Sequence, residues 1–412
     1  FARRLAAEEY DVAFLGFLSH DAFTAAGVVR VLKEVHPSRP VIVGGLHVSV
    51  CEDKVFPPDA LAEFWLHKDP PQQLRSFLEW KCEPVYDPAK FPKADCVVWN
   101  EAEIAACALA EKVAAGESIP DFVNAGNIPD LNETPHADRD LFDCEIEAAT
   151  PLLPFLPRPF FTITFGRGCP FKCGFCNIAV QLSSSSVRLI KPDYFLDELQ
   201  QLHDRFGRIG SLMIHDDILL YPKWLASWNA EIRRRWGYVP YWCQMRADFI
   251  CKFPDLMREM AEAGMSWVSI GLESGSQRLL DLLVKQTTVD QNVEACAILE
   301  ALGVNVFGNW MLGLPTETPE DVAATADMMR RIKPGFHSAS IYCDYPGTSL
   351  SRYLIKNGLL LPEWYTLSHY PWQRSVKGVD YELALRTRGQ VTSEFPNRPQ
   401  RPRLWPEGMS VT

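Results

Sequence analysis

The sequence predicts an α/β protein in two parts, a truncated Rossmann-like parallel sheet in the N-terminal third and a partial (β/α)6 barrel after it. One pattern repeats between Pro159 and Gly347: an amphipathic helix ends in Gly, and a short apolar strand follows within a few residues. Such alternation implies parallel βα units, and six strands instead of eight imply a barrel that does not close. A second, independent run of βα units precedes it.

In the N-terminal part "YDVAFLGFL" reads as a strand, "AAGVVRVLKEVH" as a helix, "PVIVGG" and "CVVW" as strands, and "EAEIAACALAEKVAAG" as a helix. A doubly wound sheet holds its ligand beyond the carboxyl ends of its strands. Those ends carry Ser19 and His20, then "GGLHVS" from Gly44 to Ser49, then Asn100 and Glu101. Glycines at a strand end permit close backbone approach to a ligand, although loop geometry alone also explains a bare pair. The chain opens at Phe1 with "FARRLAAEEYDVAF", which reads as the middle of a helix running into a strand, so a truncated N-terminus is expected.

In the barrel part the strands are "FTITF", "SLMIH", "YWCQM", "WVSIG", "VNVFGNWML" and "HSASIY". Phe195, Leu199, Leu202 and Phe206 share one helix face that stops at Gly207, and Trp224, Trp228, Ile232 and Trp236 share another that stops at Gly237. In βα barrels the functional groups sit where the strands end. Here those ends offer Cys169 to Cys176, Asp216 and Asp217, Arg246 and Asp248, Glu273 and Ser274, Glu317 in "GLPTET", and Asp344. Any one of these is equally a helix cap or a loop residue; together they line one rim.

Of the 412 residues 47% are hydrophobic and 23% charged, enough for a sizeable core. With Lys+Arg 41 against Asp+Glu 52 the net charge is −11, which speaks against broad nucleic-acid binding. No apolar run reaches the length of a spanning helix and no signal-peptide pattern is present, so a cytoplasmic location is expected.

Cys169, Cys173 and Cys176 lie in "GRGCPFKCGFCNIA"; the other nine of the 12 cysteines are scattered. Secreted disulfide scaffolds are short and cysteine-dense, which this chain is not. Structural zinc takes four protein ligands, commonly as two separated pairs, and no second pair lies nearby. A cubane iron–sulfur cluster held by three thiolates remains, with its fourth iron open, the arrangement a catalytic metal uses to bind substrate.

This CxxxCxxC, with Phe175 before its last cysteine, resembles the radical S-adenosylmethionine (SAM) enzymes, in which SAM chelates the open iron and is cleaved to a 5′-deoxyadenosyl radical. The stretches "HDDILL", "MRADF", "GLESGSQRLLDLL" and "GNWMLGLPTET" resemble, in order, those of the group that shares its core with Elongator and methylthiotransferase proteins. The resemblance implies that Phe175 and Asn177 lie near the adenine and that Asp216 and Asp217 face the methionyl amino group. It gives Arg246 to the methionyl carboxylate, Glu273 with Ser274 to the ribose hydroxyls, and the backbone of Gly313, Leu314 and Pro315 to the adenine.

Upstream, "RPVIVGGLHVS", "ADCVVWNEAE" and "IPDLNETPHADRDLFD" resemble the cobalamin-binding domain and linker of cobalamin-dependent radical SAM proteins. The resemblance implies a cobalamin site at Ser19, Gly44, Gly45, His47, Ser49 and Glu101. Three departures stand out: Asn100 stands where Gly is usual, residues 61–93 look longer than the usual connection, as if holding an insertion, and the first strand and helix are expected to be missing. No DxHxxG is present, so no histidine is proposed as lower axial ligand. The implied domains are 1–132 (cobalamin-binding), 133–158 (linker), 159–360 (radical SAM core) and 361–412 (C-terminal extension). "LSSSSVRLIKP" reads as a polar cover for the site, and the stretch from Arg386 onward as an extended tail rich in Arg and Pro.

The expected cofactors are thus a [4Fe-4S] cluster, SAM and cobalamin, with an external electron donor such as flavodoxin or ferredoxin. The expected reaction is methyl transfer to an unactivated carbon, or phosphorus, of a small-molecule substrate. Three alternatives stay open. One is a cyclisation or rearrangement on the same parts. Another is a tRNA methylthiotransferase, which would need three further ligand cysteines and a basic appendix that are not visible. The last is a non-catalytic metal-binding protein.

Overall fold

Strand alternation decides the N-terminal sheet. Along "VIV" and "CVV" every residue is apolar, so both faces of the sheet need cover. The computed structural model describes residues 9–16, 22–45, 94–139, 156–176, 178, 187–214, 220–332, 334–345, 348–361 and 375–394. In it β1 (Ala13–Gly16), β2 (Val41–Gly44), β3 (Cys96–Trp99) and β4 (Phe122–Asn124) form one parallel sheet in the order β1-β2-β3-β4. Val41, Val43 and Val97 pack on one side with Val29 and Leu32 of α1 (Ala22–Val35). Ile42, Cys96 and Val98 pack on the other with Leu109 of α2 (Glu103–Ala114). Lys33 pairs with Asp95 at 2.8 Å, and the same carboxylate accepts from Val41 N, tying α1 to the sheet. The short β4 was not legible in the sequence, since its Phe122 and Asn124 are exposed and carry no apolar alternation.

The second part builds a six-stranded parallel sheet, the half-barrel, in the order β12-β11-β10-β9-β8-β5. Its strands are β5 (Phe160–Ile163), β8 (Ser211–Ile214), β9 (Tyr241–Met245), β10 (Met265–Glu273), β11 (Asn305–Leu312) and β12 (Phe336–Ile341). A separate antiparallel ribbon joins β6 (Gly166–Arg167) to β7 (Arg188–Leu189). The helices are α3 (Pro192–Phe206), α4 (Pro222–Trp236), α5 (Ala247–Lys252), α6 (Pro254–Ala263), α7 (Gln277–Leu282), α8 (Val289–Ala301) and α9 (Pro319–Ile332). Proline opens α3, α4 and α6, where its missing N–H is not needed, and a Thr288–Gln291 capping box opens α8. The helix ends at Gly207 and Gly237 fall where the periodicity places them.

Contacts group the chain into two compact units. One is Phe1–Pro129 with Phe175–Ser183 and Cys343–Ser375, which include α10 (Ser349–Lys356); the other is Asp130–Gly174, Ser184–Tyr342 and Val376–Thr412. The reading of everything after Arg386 as extended is corrected by α11 (Tyr381–Glu394). Its Tyr381, Ala384 and Val391 are buried, and Arg388 donates to Ala339 O of β12 at 2.7 Å, so packing overrides a stretch of low helical contrast. Residues 61–93, most of 133–158 beyond Arg139, and 395–412 lie outside the described residues. No described helix is long and apolar enough to cross a membrane.

The half-barrel core centres on Trp228, fully buried against Phe165, Phe195 and Tyr241, with ring centroids 4.9, 5.6 and 4.9 Å away. Trp228→Ala is expected to cost about 3–5 kcal/mol, and Trp228→Phe clearly less, in urea unfolding of the purified protein.

Candidate functional site

The rim of the half-barrel is built from strand ends. β10 stops at Glu273, which takes a left-handed φ of 59°. Its register against β11 slips between Gly271 and Glu273, turning the carboxylate back over Gly271. There Glu273 Oε1 accepts from Lys285 Nζ at 2.7 Å, with both side chains 9% exposed. A Cβ on residue 271 would stand 2.2 Å from that oxygen and 2.6 Å from the ammonium, so any larger residue there must displace the pair. Lys285 is flanked by Val284 and Gln286, at φ 52° and 58°. Three non-glycine residues in the left-handed region around one ion pair mark a place where surrounding contacts hold the backbone against its preference.

The cysteine loop leaves from β6. Its Cys169, Cys173 and Cys176 form no disulfide and are partly exposed. Gly174 N donates to Leu283 O at 2.7 Å, fastening this loop to the turn that carries Lys285. Arg246, the residue after β9, is 4% exposed. Its guanidinium lies over the Phe171 ring at 3.6 Å, pairs with Asp248 at 2.9 Å, and donates to Lys285 O at 2.7 Å and to Cys173 Sγ at 3.8 Å. An open groove of about 770 Å3 runs past Phe171, Tyr221, Asp248 and Lys252. Among the described residues no three His, Cys, Asp or Glu converge on one metal ion. A four-iron cluster does not ask for that, because each of its thiolates binds a different iron. Three thiols on one loop, none in a disulfide and with a cation beside them, fit its donor set. The scattered cysteines behave differently: burial pushes the thiols of Cys96 and Cys251 up to about 11 and that of Cys296 to about 12, keeping them protonated.

The other predicted residues divide. Ser274 is fully buried and bonds Thr325 Oγ1 at 3.0 Å and Ser276 N at 3.1 Å, so its hydroxyl holds the turn after β10. Gly313, at φ 74°, donates to Glu317 Oε2 at 2.6 Å, while Leu314 and Pro315 are buried behind it. Phe175 is partly exposed. Asn177, Asp216 and Asp217 lie outside the described residues, as do Ser19, His47 and Ser49. Gly44 and Gly45 close β2, and Glu101 follows β3, so these three share the carboxyl edge of the N-terminal sheet. Glu101 Oε2 there accepts from Ile128 N at 2.8 Å. Asn100 sits at φ 67°, a conformation Asn tolerates better than other side chains, so the departure from Gly at this position keeps the backbone turn.

Lys285 and Gly271 escaped sequence reading, since a helix separates the lysine from Glu273 and a glycine in a strand has many explanations. Glu317 appeared there only as a rim residue. Its Oε1 is buried without a hydrogen-bond partner. Burial first, then the charge of Asp321, lift its carboxyl to about 7 against the bonds from Gly313 and Leu314. Asp321 goes the other way: burial alone would raise it, but bonds from Ser276, Arg278 and Thr318 bring it down to about 2.

A parallel half-barrel with three thiols on the loop after its first strand has the ligands for an iron–sulfur cluster with one iron left open. Residues 163–329 match the pattern of the Radical SAM superfamily. An uncharacterized methyltransferase of Pyrococcus horikoshii is 25% identical over 353 residues, 83% of this chain and 68% of that one. The anaerobic magnesium-protoporphyrin IX monomethyl ester cyclase of Rubrivivax gelatinosus is 27% identical over 190 residues, 46% of this chain and 34% of that one. The radical SAM methyltransferase TsrM from Kitasatospora setae, solved with cobalamin and a [4Fe-4S] cluster bound, shares the fold with TM-score 0.59 and 18% identity, over 86% of this chain and 66% of that one. Residues 163–329 thus carry a radical SAM core, which implies a [4Fe-4S] cluster and SAM.

Three outcomes follow from this rim. Lys285→Ala leaves Glu273 buried and unpaired and is expected to lower stability by about 3–5 kcal/mol in denaturant titration; Gly271→Ala should destabilise as well, by crowding the same pair. The raised carboxyl of Glu317 favours the protonated form in the fold. Its contribution is complete below its ordinary 4.5 and fades as pH rises through about 7. Glu317→Gln should remove that fall, on the order of 3 kcal/mol between pH 4.5 and 7, from the pH–stability curve.

Proposed function

We propose that this protein is a cobalamin-dependent radical SAM methyltransferase acting on an unactivated carbon, or phosphorus, of a small-molecule substrate. The observation that carries the reading is the parallel N-terminal sheet ahead of the half-barrel, with Gly44, Gly45 and Glu101 at its carboxyl edge. That is the edge at which doubly wound sheets bind ligands. Support comes from the TsrM structure, whose fold spans both parts and holds cobalamin, and from the Pyrococcus methyltransferase, which matches 83% of the chain. When bound, the cofactors supply the radical and the methyl group, and the chain supplies placement. Cys169, Cys173 and Cys176 hold the cluster, the Gly313–Pro315 backbone and Glu273 border the SAM site, and Gly45, at φ 96°, lets the loop after β2 turn close to a cofactor. An external donor such as flavodoxin or ferredoxin delivers the electron.

A cyclisation is the second reading, favoured by the Rubrivivax cyclase; that match is confined to 46% of the chain. Product mass after incubation with candidate metabolites separates the two, since methylation adds one CH2 to the substrate's mass and ring closure adds no carbon.

The anaerobically purified protein is expected to be brown, and replacing Cys169, Cys173 and Cys176 together by Ala should abolish iron and sulfide binding. The full-length gene product should bind hydroxocobalamin saturably in visible titration. Gly45→Val places a branched side chain at a left-handed residue and should abolish that binding with iron content unchanged. An intact protein that shows no saturable cobalamin binding ends the methyltransferase reading.

A further inference from the structure

Arg246 is where the structure and the resemblance part. The resemblance gives its guanidinium to the methionyl carboxylate of SAM, whereas in the structure that guanidinium is occupied. Nε and Nη2 bind the two oxygens of Asp248 at 2.9 and 3.3 Å. Nη2 also donates to Lys285 O at 2.7 Å and reaches Gln286 O at 3.4 Å. Beneath it lies the Phe171 ring, two residues from Cys173, and Nη1 donates to Cys173 Sγ at 3.8 Å. With the residue 4% exposed, no water competes effectively for these donors.

We propose that Arg246 is a positioning residue for the iron–sulfur cluster: it fixes the cysteine loop and raises the cluster's reduction potential through the charge-assisted hydrogen bond from its Nη1 to the Cys173 sulfur. This rests on the cluster assignment, not on the cobalamin reading. One-electron reduction adds a unit of negative charge to the cluster and its thiolates. Hydrogen bonds to the sulfurs and nearby positive charge stabilise that charge and so favour the reduced state. Asp248 and the two backbone carbonyls orient the guanidinium without using Nη1. The pairing with Asp248 lowers the desolvation cost of burying the cation, and the planar fork keeps its remaining donor aimed at sulfur. The turn supplying those carbonyls is the one that takes Gly174 N on Leu283 O, so the loop is held from both sides of Cys173. Lysine would keep the charge but not the fork.

The test uses cluster-loaded, full-length protein without SAM, titrated anaerobically with dithionite and mediators and followed by visible absorbance and by the electron paramagnetic resonance of the reduced cluster. Iron content is measured on the same samples. Arg246→Gln is expected to retain iron and to shift the midpoint negative by about 59 mV, equal to a tenfold lower equilibrium constant for reduction; Arg246→Lys should recover part of the shift. An unchanged midpoint in the Gln variant overturns the proposal; SAM binding, measured separately on the same variant and found weakened, would then give the guanidinium to the methionyl carboxylate. Should the Gln variant lose its iron, Phe171→Leu, which keeps the guanidinium but removes the ring it lies on, decides instead. A negative shift there supports the proposal, and an unmoved midpoint overturns it.

Discussion

Burying the Glu273 carboxylate with the Lys285 ammonium imposes the constraint on which the rest of the rim depends. Neither charge can be left alone away from water, so the chain must bring residues on either side of α7 together at the end of β10. Three consequences follow. Residue 271 has no room for a Cβ, three backbone positions accept left-handed φ angles, and the turn from Leu283 to Gln286 is held against the strand ends. That turn presents its carbonyls to Gly174 and Arg246. The cysteine loop is therefore anchored to a feature fixed by electrostatics, although "GRGCPFKC" has little apolar surface with which to anchor itself.

A cation beside the cysteine loop and a partly neutral acid beside Gly313 give the rim an uneven distribution of charge. Arg246 is compensated by Asp248 yet keeps a donor on Cys173, while Glu317 is pushed toward neutrality between Gly313 and Asp321. Asp321 remains charged because Ser276, Arg278 and Thr318 surround it with donors. The two acids lie four residues apart and titrate in opposite senses, since one carboxylate has donors on both oxygens and the other leaves Oε1 without a partner. Hydrogen-bond supply separates them, and burial acts on both.

The N-terminal sheet follows simpler rules. Its strands are apolar on both faces, helices cover both, and among the described residues Gly44, Gly45 and Glu101 lie at the carboxyl edge. Asn100 shows how a departure from a family pattern can be neutral for the backbone: the position asks for a left-handed φ, and Asn meets it with a side chain that also bonds Asn124 at 2.8 Å.

Much of this was written along the chain. Periods of helix and strand, proline and glycine at helix ends, and three thiols in one loop are local signals, so they specified the α/β class and the six-stranded half-barrel, and singled out Cys169, Cys173 and Cys176 as the place for a cluster. Signals that depend on neighbours in space were absent. β4 and α11 carry weak periodicity and form because other elements offer them a surface. Lys285 is one lysine among many until the register slip at Gly271 swings Glu273 onto it. Arg246 could be placed at a strand end, but its partners could not be, because the carbonyls, ring and sulfur around it come from two distant turns. Sequence determines what each residue can bond to; burial, which exists only once the chain is folded, decides which of those bonds must form.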